Sequence, residues 1–212
     1  MNKYWEEAWE EQKTMQFTKT GINPTEWKAS GRATKANPNK EDGDWWNVNG
    51  SAMVDNWMAW RNGMHPWVMW QPTPGVPAIE LGLTPIWNDV PVQMHIDRVM
   101  INPDGELVVI DIKTGARNPT SDLQLAFYAA GMEEIFGIRP QYGAYWMGRQ
   151  GGIKELINLD RYPKETIIEL VTKFDAARKA EIFLPNLNHC VMCSVKEECK
   201  WYQKDTRSEM ED

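Results

Sequence analysis

The chain has 212 residues, about one and a half times the usual domain length, which argues for one domain with an appendage. Apolar residues make up 42% and charged residues 25%, which excludes a disordered or fibrous chain. Thirty acids against 23 bases leave a net charge of -7, which on totals alone argues against a polyanionic partner.

The first 20 residues carry Trp5 and Trp9 among Glu and Lys and suggest a short helix. Residues 21–50 are rich in Gly, Pro, Asn and Lys and read as a long ordered loop or lid. Ten of the 12 Trp precede residue 88, so a large aromatic cluster or stacking surface belongs to this half; Trp45 and Trp46 either pack or stack bases. Over residues 51–61, Met53, Val54, Trp57, Met58 and Trp60 recur at three- and four-residue spacings, which predicts a core-facing helix ended by Asn62-Gly63.

Strands are expected within 77–83 and over 92–101 and 107–113, the last strongest because β-branched residues dominate it. A helix over 121–136 follows, with Thr120 or Ser121 as cap and Gly137 as terminator. Residues 141–147 and 153–159 read as two more strands. The span 163–183 reads as a long helix with Ile167, Ile168, Leu170, Val171, Phe174 and Ala177 along one side. This order implies an α/β fold with a mixed sheet flanked by helices. No apolar run approaches the roughly 18 residues of a membrane span, and the start of the chain lacks the apolar core of a signal peptide. A cytoplasmic protein with no membrane partner is expected.

The informative stretch is Met94-His95-Ile96-Asp97-Arg98, then Asn102-Pro103-Asp104-Gly105, then Ile110-Asp111-Ile112-Lys113-Thr114-Gly115. Asn-Pro-Asp-Gly suits a type I turn followed by a left-handed Gly105, a three-residue hairpin loop with a bulge. Asn102 then faces Glu106, Asp97 lies opposite Asp111, and His95 lies opposite Lys113, all four projecting from one face. The other face carries Met94, Ile96, Met100, Val108, Ile110 and Ile112, broken only by Arg98. Two facing carboxylates repel unless a cation or proton is shared. Mg²⁺ or Mn²⁺ suits an oxygen-only set, and such an ion eases deprotonation of water and neutralises charge on a phosphate. Lys113 can orient that water or offset the phosphate charge. Alternatively, Asp111 and Lys113 form an ordinary surface ion pair.

These residues resemble a known family. Asp97-Arg98-Val99, Val109-Ile110-Asp111-Ile112-Lys113-Thr114-Gly115 and Gln124-x-x-x-Tyr128 look like the successive motifs of RecB-type nucleases of the PD-(D/E)XK superfamily. The resemblance implies a restriction-endonuclease-like fold, with metal bound by Asp97, Asp111 and the backbone carbonyl of Ile112. It implies catalytic roles for Asp97, Asp111 and Lys113, and a helix face bearing Gln124 and Tyr128 beside the active site. A metal-binding His usually sits in a Gly-x-x-x-His pattern; here Val54 takes that place after Gly50, so either that ligand is missing or Asp55 or, better, Glu80 contributes instead. Glu80 is preferred because an acid between Ile79 and Leu81 on a strand is costly to bury alone.

Cys190-x-x-Cys193-x5-Cys199 resembles the C-terminal cysteines of iron-sulfur members, including CRISPR-associated RecB-like nucleases. With three Cys in the chain, an all-Cys four-iron cluster is ruled out by count. His189 could complete a Cys3His site for zinc or an unusual cluster, or the three are reduced thiols.

The expected organisation is an N-terminal helix and Trp-rich lid over 1–50, a nuclease core over 51–183, a Cys-containing extension over 184–204 and a disordered tail over 205–212. The leading expectation is a metal-dependent DNA exonuclease, resembling small phage-encoded relatives, in the host cytoplasm. It would act on single- or double-stranded DNA ends in recombination, replication or repair, with a separate recombinase, helicase or replication partner. Alternatives are a decayed single-strand-binding module and a zinc-stapled interaction domain with an acidic surface. Lys113, Arg98, Arg117, Arg149 and Lys154 are candidate phosphate contacts, so local charge outweighs the acidic total.

Overall fold

The structure, a computed structural model, describes residues 2–23, 27, 41–63, 67–183, 186, 190, 193–199 and 201–202. Helices α1 (Lys3–Thr20) and α2 (Gly43–Gly63) come first. Strands β1 (Val68–Met69), β2 (Ile79–Leu83), β3 (Ile86–Trp87), β4 (Val90–Pro91), β5 (Met94–Ile101) and β6 (Leu107–Lys113) follow. Helix α3 (Leu123–Phe136), strands β7 (Tyr142–Met147), β8 (Gly152–Ile153) and β9 (Ile157–Asn158), and helix α4 (Lys164–Lys179) complete the regular elements.

The centre of the sheet is the hairpin of β5 and β6. The Asn102 N–H donates to Glu106 O and the Gly105 N–H to Asn102 O, while Gly105 sits at φ +83°, which a side chain would resist. The expected turn therefore forms, and it sets Arg98 against Ile110 and Ile101 against Leu107. Strand β7 lies parallel to β6, which requires the crossover that α3 provides. On the outer side of β5, β1 and β2 pair in turn; on the outer side of β7, β8 and β9 do so. The sheet is mixed and has helices on both faces, as expected.

On one face, Val99, Val109, Leu125, Ala129, Tyr145 and Met147 form a core under α3 and α4. On the other, Met100, Val108, Ile110, Ala144 and Trp146 pack against Trp57, Trp60 and Trp67. Burying each large apolar side chain contributes about 1.5–3 kcal/mol, so this strand alternation is the main reason the hairpin register holds. No described helix is long and apolar enough to cross a membrane.

Several expectations need correction. Helix α2 begins at Gly43 rather than in the fifties, so Trp45 and Trp46 are helical and not in a loop. Asp42 starts the helix by accepting from the Trp45 N–H at 2.9 Å. Packing overrides poor local propensity here: the Trp5 ring lies on Gly50, where a Cβ would come within 2.1 Å of it. The rest of the expected lid, residues 24–26 and 28–40, lies outside the described residues, as does the tail 205–212.

Residues 153–159 do not form one strand. Ile153 pairs with Trp146 and Ile157 with Gly143, and residues 154–156 leave the ladder between them. The final helix stops at Lys179, and two residues assigned to its buried side, Leu170 (42%) and Phe174 (73%), are exposed. Ile167 and Val171 alone of that stripe are buried, because α4 meets the core with a narrow face. The β3–β4 hairpin was missed; it turns on Asn88 and Asp89, both at positive φ.

Candidate active site at the open end of the central hairpin

Strand β6 alternates without interruption, but β5 does not. Met100 faces α2, whereas Met94 and Ile96 pack in the α3-side core with Val99. The expectation that Met94 and Ile96 share a face with Met100 is thus corrected: the alternation slips between Ile96 and Val99. Strand β2 slips at the same level. Ala78, Leu81 and Leu83 all belong to the α3-side core, and Glu80 between them has φ +50°. The β2–β5 pairing accordingly omits Glu80 and Asp97.

The consequence falls on Asp97. Regular pairing with β6 ends at Arg98 and Ile110, and beyond it the Ile112 N–H donates to the Asp97 side chain, Oδ2, at 2.6 Å. A carboxylate oxygen has replaced a ladder carbonyl. In a strand the N–H and C=O of one residue point to the same neighbour. The Ile112 carbonyl therefore faces this opening too, while the Lys113 carbonyl turns to the other side and accepts from Gly148.

Next to Asp97, four side chains close a polar ring. Lys113 Nζ lies 2.6 Å from Asp111 Oδ2 and donates to Gln124 Oε1 at 2.9 Å. Gln124 Nε2 donates to Tyr128 Oη at 2.8 Å, and Tyr128 Oη donates to Asp111 Oδ1 at 3.4 Å. Lysine has no acceptor, so it dictates which end of the Gln124 amide turns toward it, and the amide then leaves the Tyr128 proton for Asp111. Spacing explains the meeting: residues 111 and 113 share a face of β6, and residues 124 and 128 share a face of α3.

Asp111 is 3% exposed, and burial raises its carboxyl above the ordinary 3.8, an effect that Lys113 opposes and Asp97 reinforces. Burial likewise pushes the Tyr128 hydroxyl up to about 12, with Asp111 and Asp97 adding to it against the Gln124 hydrogen bond. Tyr128 therefore stays a neutral donor. Although Lys113 is close, Asp111 Oδ2 has no aligned hydrogen bond, so a buried carboxylate oxygen is met by charge alone. Two carboxylates with one such oxygen suit a hard divalent cation. Mg²⁺ typically takes one or two carboxylates and keeps several waters. Among the described residues, no three His, Cys, Asp or Glu side chains are grouped to hold a metal.

Other expected site residues lie apart. Glu80 is exposed rather than buried and pairs with Arg98 at 3.4 Å; at its positive φ the regular alternation of β2 is broken. Asp55 accepts from Asn2 Nδ2 at 2.7 Å. His95 is exposed and pairs with Gly82 in β2, not with Lys113, since the β5–β6 ladder has ended by then. Arg149 makes a two-pronged pair with Glu41 at 2.8 and 2.9 Å and lies 4.6 Å over the Trp45 ring, so its charge is already matched. Arg117 and Lys154 are exposed. Cys190, Cys193 and Cys199 are free, half-buried thiols, and His189 lies outside the described residues.

Tyr145 was missed. It lies beside Asp111 in the parallel ladder, its ring 5.8 Å from Lys113 Nζ and its hydroxyl donating to Ser121 O at 2.8 Å. No sequence signal gives the register of a parallel pair joined by a helix, so only the folded chain reveals it. The geometry agrees with a family match: residues 4–200 match the PD-(D/E)XK nuclease superfamily. Among curated proteins, none matches this sequence.

Proposed function

The chain belongs to the PD-(D/E)XK nuclease superfamily, a superfamily of divalent-metal-dependent nucleases, and we propose on that premise that it is a DNA exonuclease of the RecB-like type. The observation that carries this reading is the closed ring of Asp111, Lys113, Gln124 and Tyr128 beside Asp97. Asp97, Asp111 and the Ile112 carbonyl would hold Mg²⁺ or Mn²⁺, which would supply an easily deprotonated water and charge neutralisation at the phosphate.

The chain's own groups do the rest. Lys113, held between Asp111 and Gln124, presents its ammonium to the scissile phosphate and stabilises the charge that grows on it. Gln124 sets the direction in which Lys113 points. Tyr128 keeps its proton and steadies Asp111 in the ionised form. Glu80, exposed and paired with Arg98, is not needed as a ligand in this scheme.

DNA ends are the proposed substrate, and phage recombination, replication or repair with a separate helicase or recombinase the proposed setting. The motif sequence supports this finer reading. Iron-sulfur or zinc binding by Cys190, Cys193, Cys199 and His189 has no support from the described thiols; metal analysis of the purified protein decides it.

End-labelled linear and closed circular DNA incubated with Mn²⁺ provide the test. Degradation of linear DNA alone, abolished in Asp111→Ala and Lys113→Ala with folding retained, is expected; undiminished cleavage in those variants overturns the assignment. Valine at position 54 favours a second reading, a decayed single-strand-binding module, which tight binding without cleavage in Mg²⁺ and Mn²⁺ would establish.

A further inference from the structure

The end of β6 that carries Lys113 has a strand neighbour on one side only. Toward β5 the ladder stops at Arg98 and Ile110, and past it the Ile112 N–H meets a side chain, Asp97 Oδ2, in place of a strand. Toward β7 the pairing runs on to Lys113 opposite Met147. Just beyond, two successive carbonyls of the chain are caught by two successive residues of the β7–β8 turn. The Gly148 N–H donates to Lys113 O at 2.8 Å, and Arg149 Nε donates to Thr114 O at 2.9 Å.

The turn and the guanidinium are each fixed in their own right. The Gln150 and Gly151 N–H groups both donate to Met147 O, Gly151 takes φ +71°, and Asn56 Nδ2 of α2 donates to Gly148 O at 3.0 Å. Arg149 Nη1 and Nη2 donate to the two carboxylate oxygens of Glu41 at 2.8 and 2.9 Å. The guanidinium carbon lies 4.6 Å from the Trp45 ring centre and 5.8 Å from that of Trp46, a placement the ring faces favour. Three nitrogens of one planar group thus serve two separate segments of the chain at once. A lysine ammonium, a point donor on a flexible stem, cannot reproduce that fork. Half-buried and neutralised by Glu41, Arg149 is placed to hold Thr114 and not to meet a phosphate.

We propose that Arg149, seated by Glu41, is a positioning residue for Lys113: by gripping Thr114 O it fixes the last residue of β6, and with it the ammonium between Asp111 and Gln124. This role rests on the nuclease reading and deepens it. Lys113 reaches Asp111 and Gln124 through a long stem, so the place of its ammonium depends on where the strand's end sets its Cα. A misplacement of about 1 Å can cost about 10²-fold in rate. The grip is on the backbone at the end of the strand, not on a side chain of either face of the sheet.

The test compares the full chain with Arg149→Lys, Arg149→Met and Glu41→Gln in two measurements. The first is amide hydrogen exchange of the metal-free protein by NMR, which needs no activity. The Ile112 and Gly148 amides are expected to exchange about tenfold faster in Arg149→Met and Arg149→Lys, while Val171 in α4 keeps its wild-type rate and shows the fold intact. Unchanged exchange at both amides overturns the proposal. The second is steady-state cleavage of linear DNA with Mn²⁺. Both Arg149 variants are expected to lose about ten- to a hundredfold in kcat with KM little changed, and Glu41→Gln, which keeps one acceptor for the guanidinium, to lose less. A raised KM with kcat kept, restored by Arg149→Lys, overturns the proposal by making Arg149 a phosphate contact. A wild type that does not cleave sinks the nuclease reading instead, and the exchange rates still decide whether Arg149 holds the strand's end.

Discussion

On the α3 face of β6, Asp111, Lys113, Gln124 and Tyr128 form a ring in which each member meets two others. On the α2 face, Ile112 and Trp146 line a largely apolar pocket. Strand β6 contributes to both. A strand presents opposite chemistry on its two faces at every step, so one short segment can set a polar cluster and an apolar pocket back to back. The opening at Asp97, where the ladder gives way to a side chain, is where the two faces communicate. Under this division, changes on the α3 face should act on turnover, and changes on the α2 face on stability.

The largest expected effect breaks the α3 side. Lys113→Ala should lower the cleavage rate by about 10²–10⁴-fold while leaving single-strand affinity in EDTA nearly unchanged; a parallel loss of affinity would show that the faces are not separate. Gln124→Ala, which removes one member of the ring, should cost about tenfold in turnover, with Gln124→Glu restoring part of it by keeping an acceptor for Lys113.

Gly50→Ala probes the other side. Its new methyl must displace the Trp5 ring; because Trp5 is only half-buried, the cost should sit at the low end of overpacking, about 1 kcal/mol. Urea unfolding reads that cost, and turnover should stay unchanged.

The smallest effect sharpens the comparison through pH. Burial raises the Asp111 carboxyl above 3.8, so without metal the folded state holds that proton more tightly than the unfolded chain does. Ionised Asp111 therefore costs stability at neutral pH, and the cost disappears as pH falls through the raised value toward 3.8. Asp111→Asn, which mimics the neutral acid, should abolish cleavage yet raise the metal-free Tm by roughly 2–4 °C at pH 7. Scanning calorimetry should find that gain shrinking as the pH is lowered; a gain constant with pH would point to packing rather than charge.

Much of this site was legible before folding was considered. The turn at Asn102 to Gly105 is local chemistry, and the β-branched run of β6 is a local pattern, so the strand and its pairing near the turn, Arg98 with Ile110 to Ile101 with Leu107, could be read to the residue; the expected pairings of Asp97 with Asp111 and His95 with Lys113 do not form, because the ladder ends first. Glu80 was not legible. An acid flanked by Ile79 and Leu81 reads as an inward side chain, but β2 slips where β5 slips, and a paired slip leaves no trace in either strand alone. The start of α2 was hidden for a related reason: Gly43, Asn47 and Gly50 are poor helix formers, and it is the seat for Trp5 and the aromatic core beneath that make them helical.

What the sequence by itself determined is the nearest-neighbour geometry: Asp111 and Lys113 on one face of a strand, Gln124 and Tyr128 on one face of a helix, Asp97 on the partner strand across a defined turn. Each follows from a fixed period or a turn type acting over a few residues. Only the tertiary structure decided that the strand and helix faces meet in a ring, that Asp97 leaves its ladder to accept from Ile112, that Arg149 is taken by Glu41, and that four indoles line an open pocket behind the carboxylates. Those contacts join residues far apart in the chain, and their energies depend on burial, which a period cannot encode.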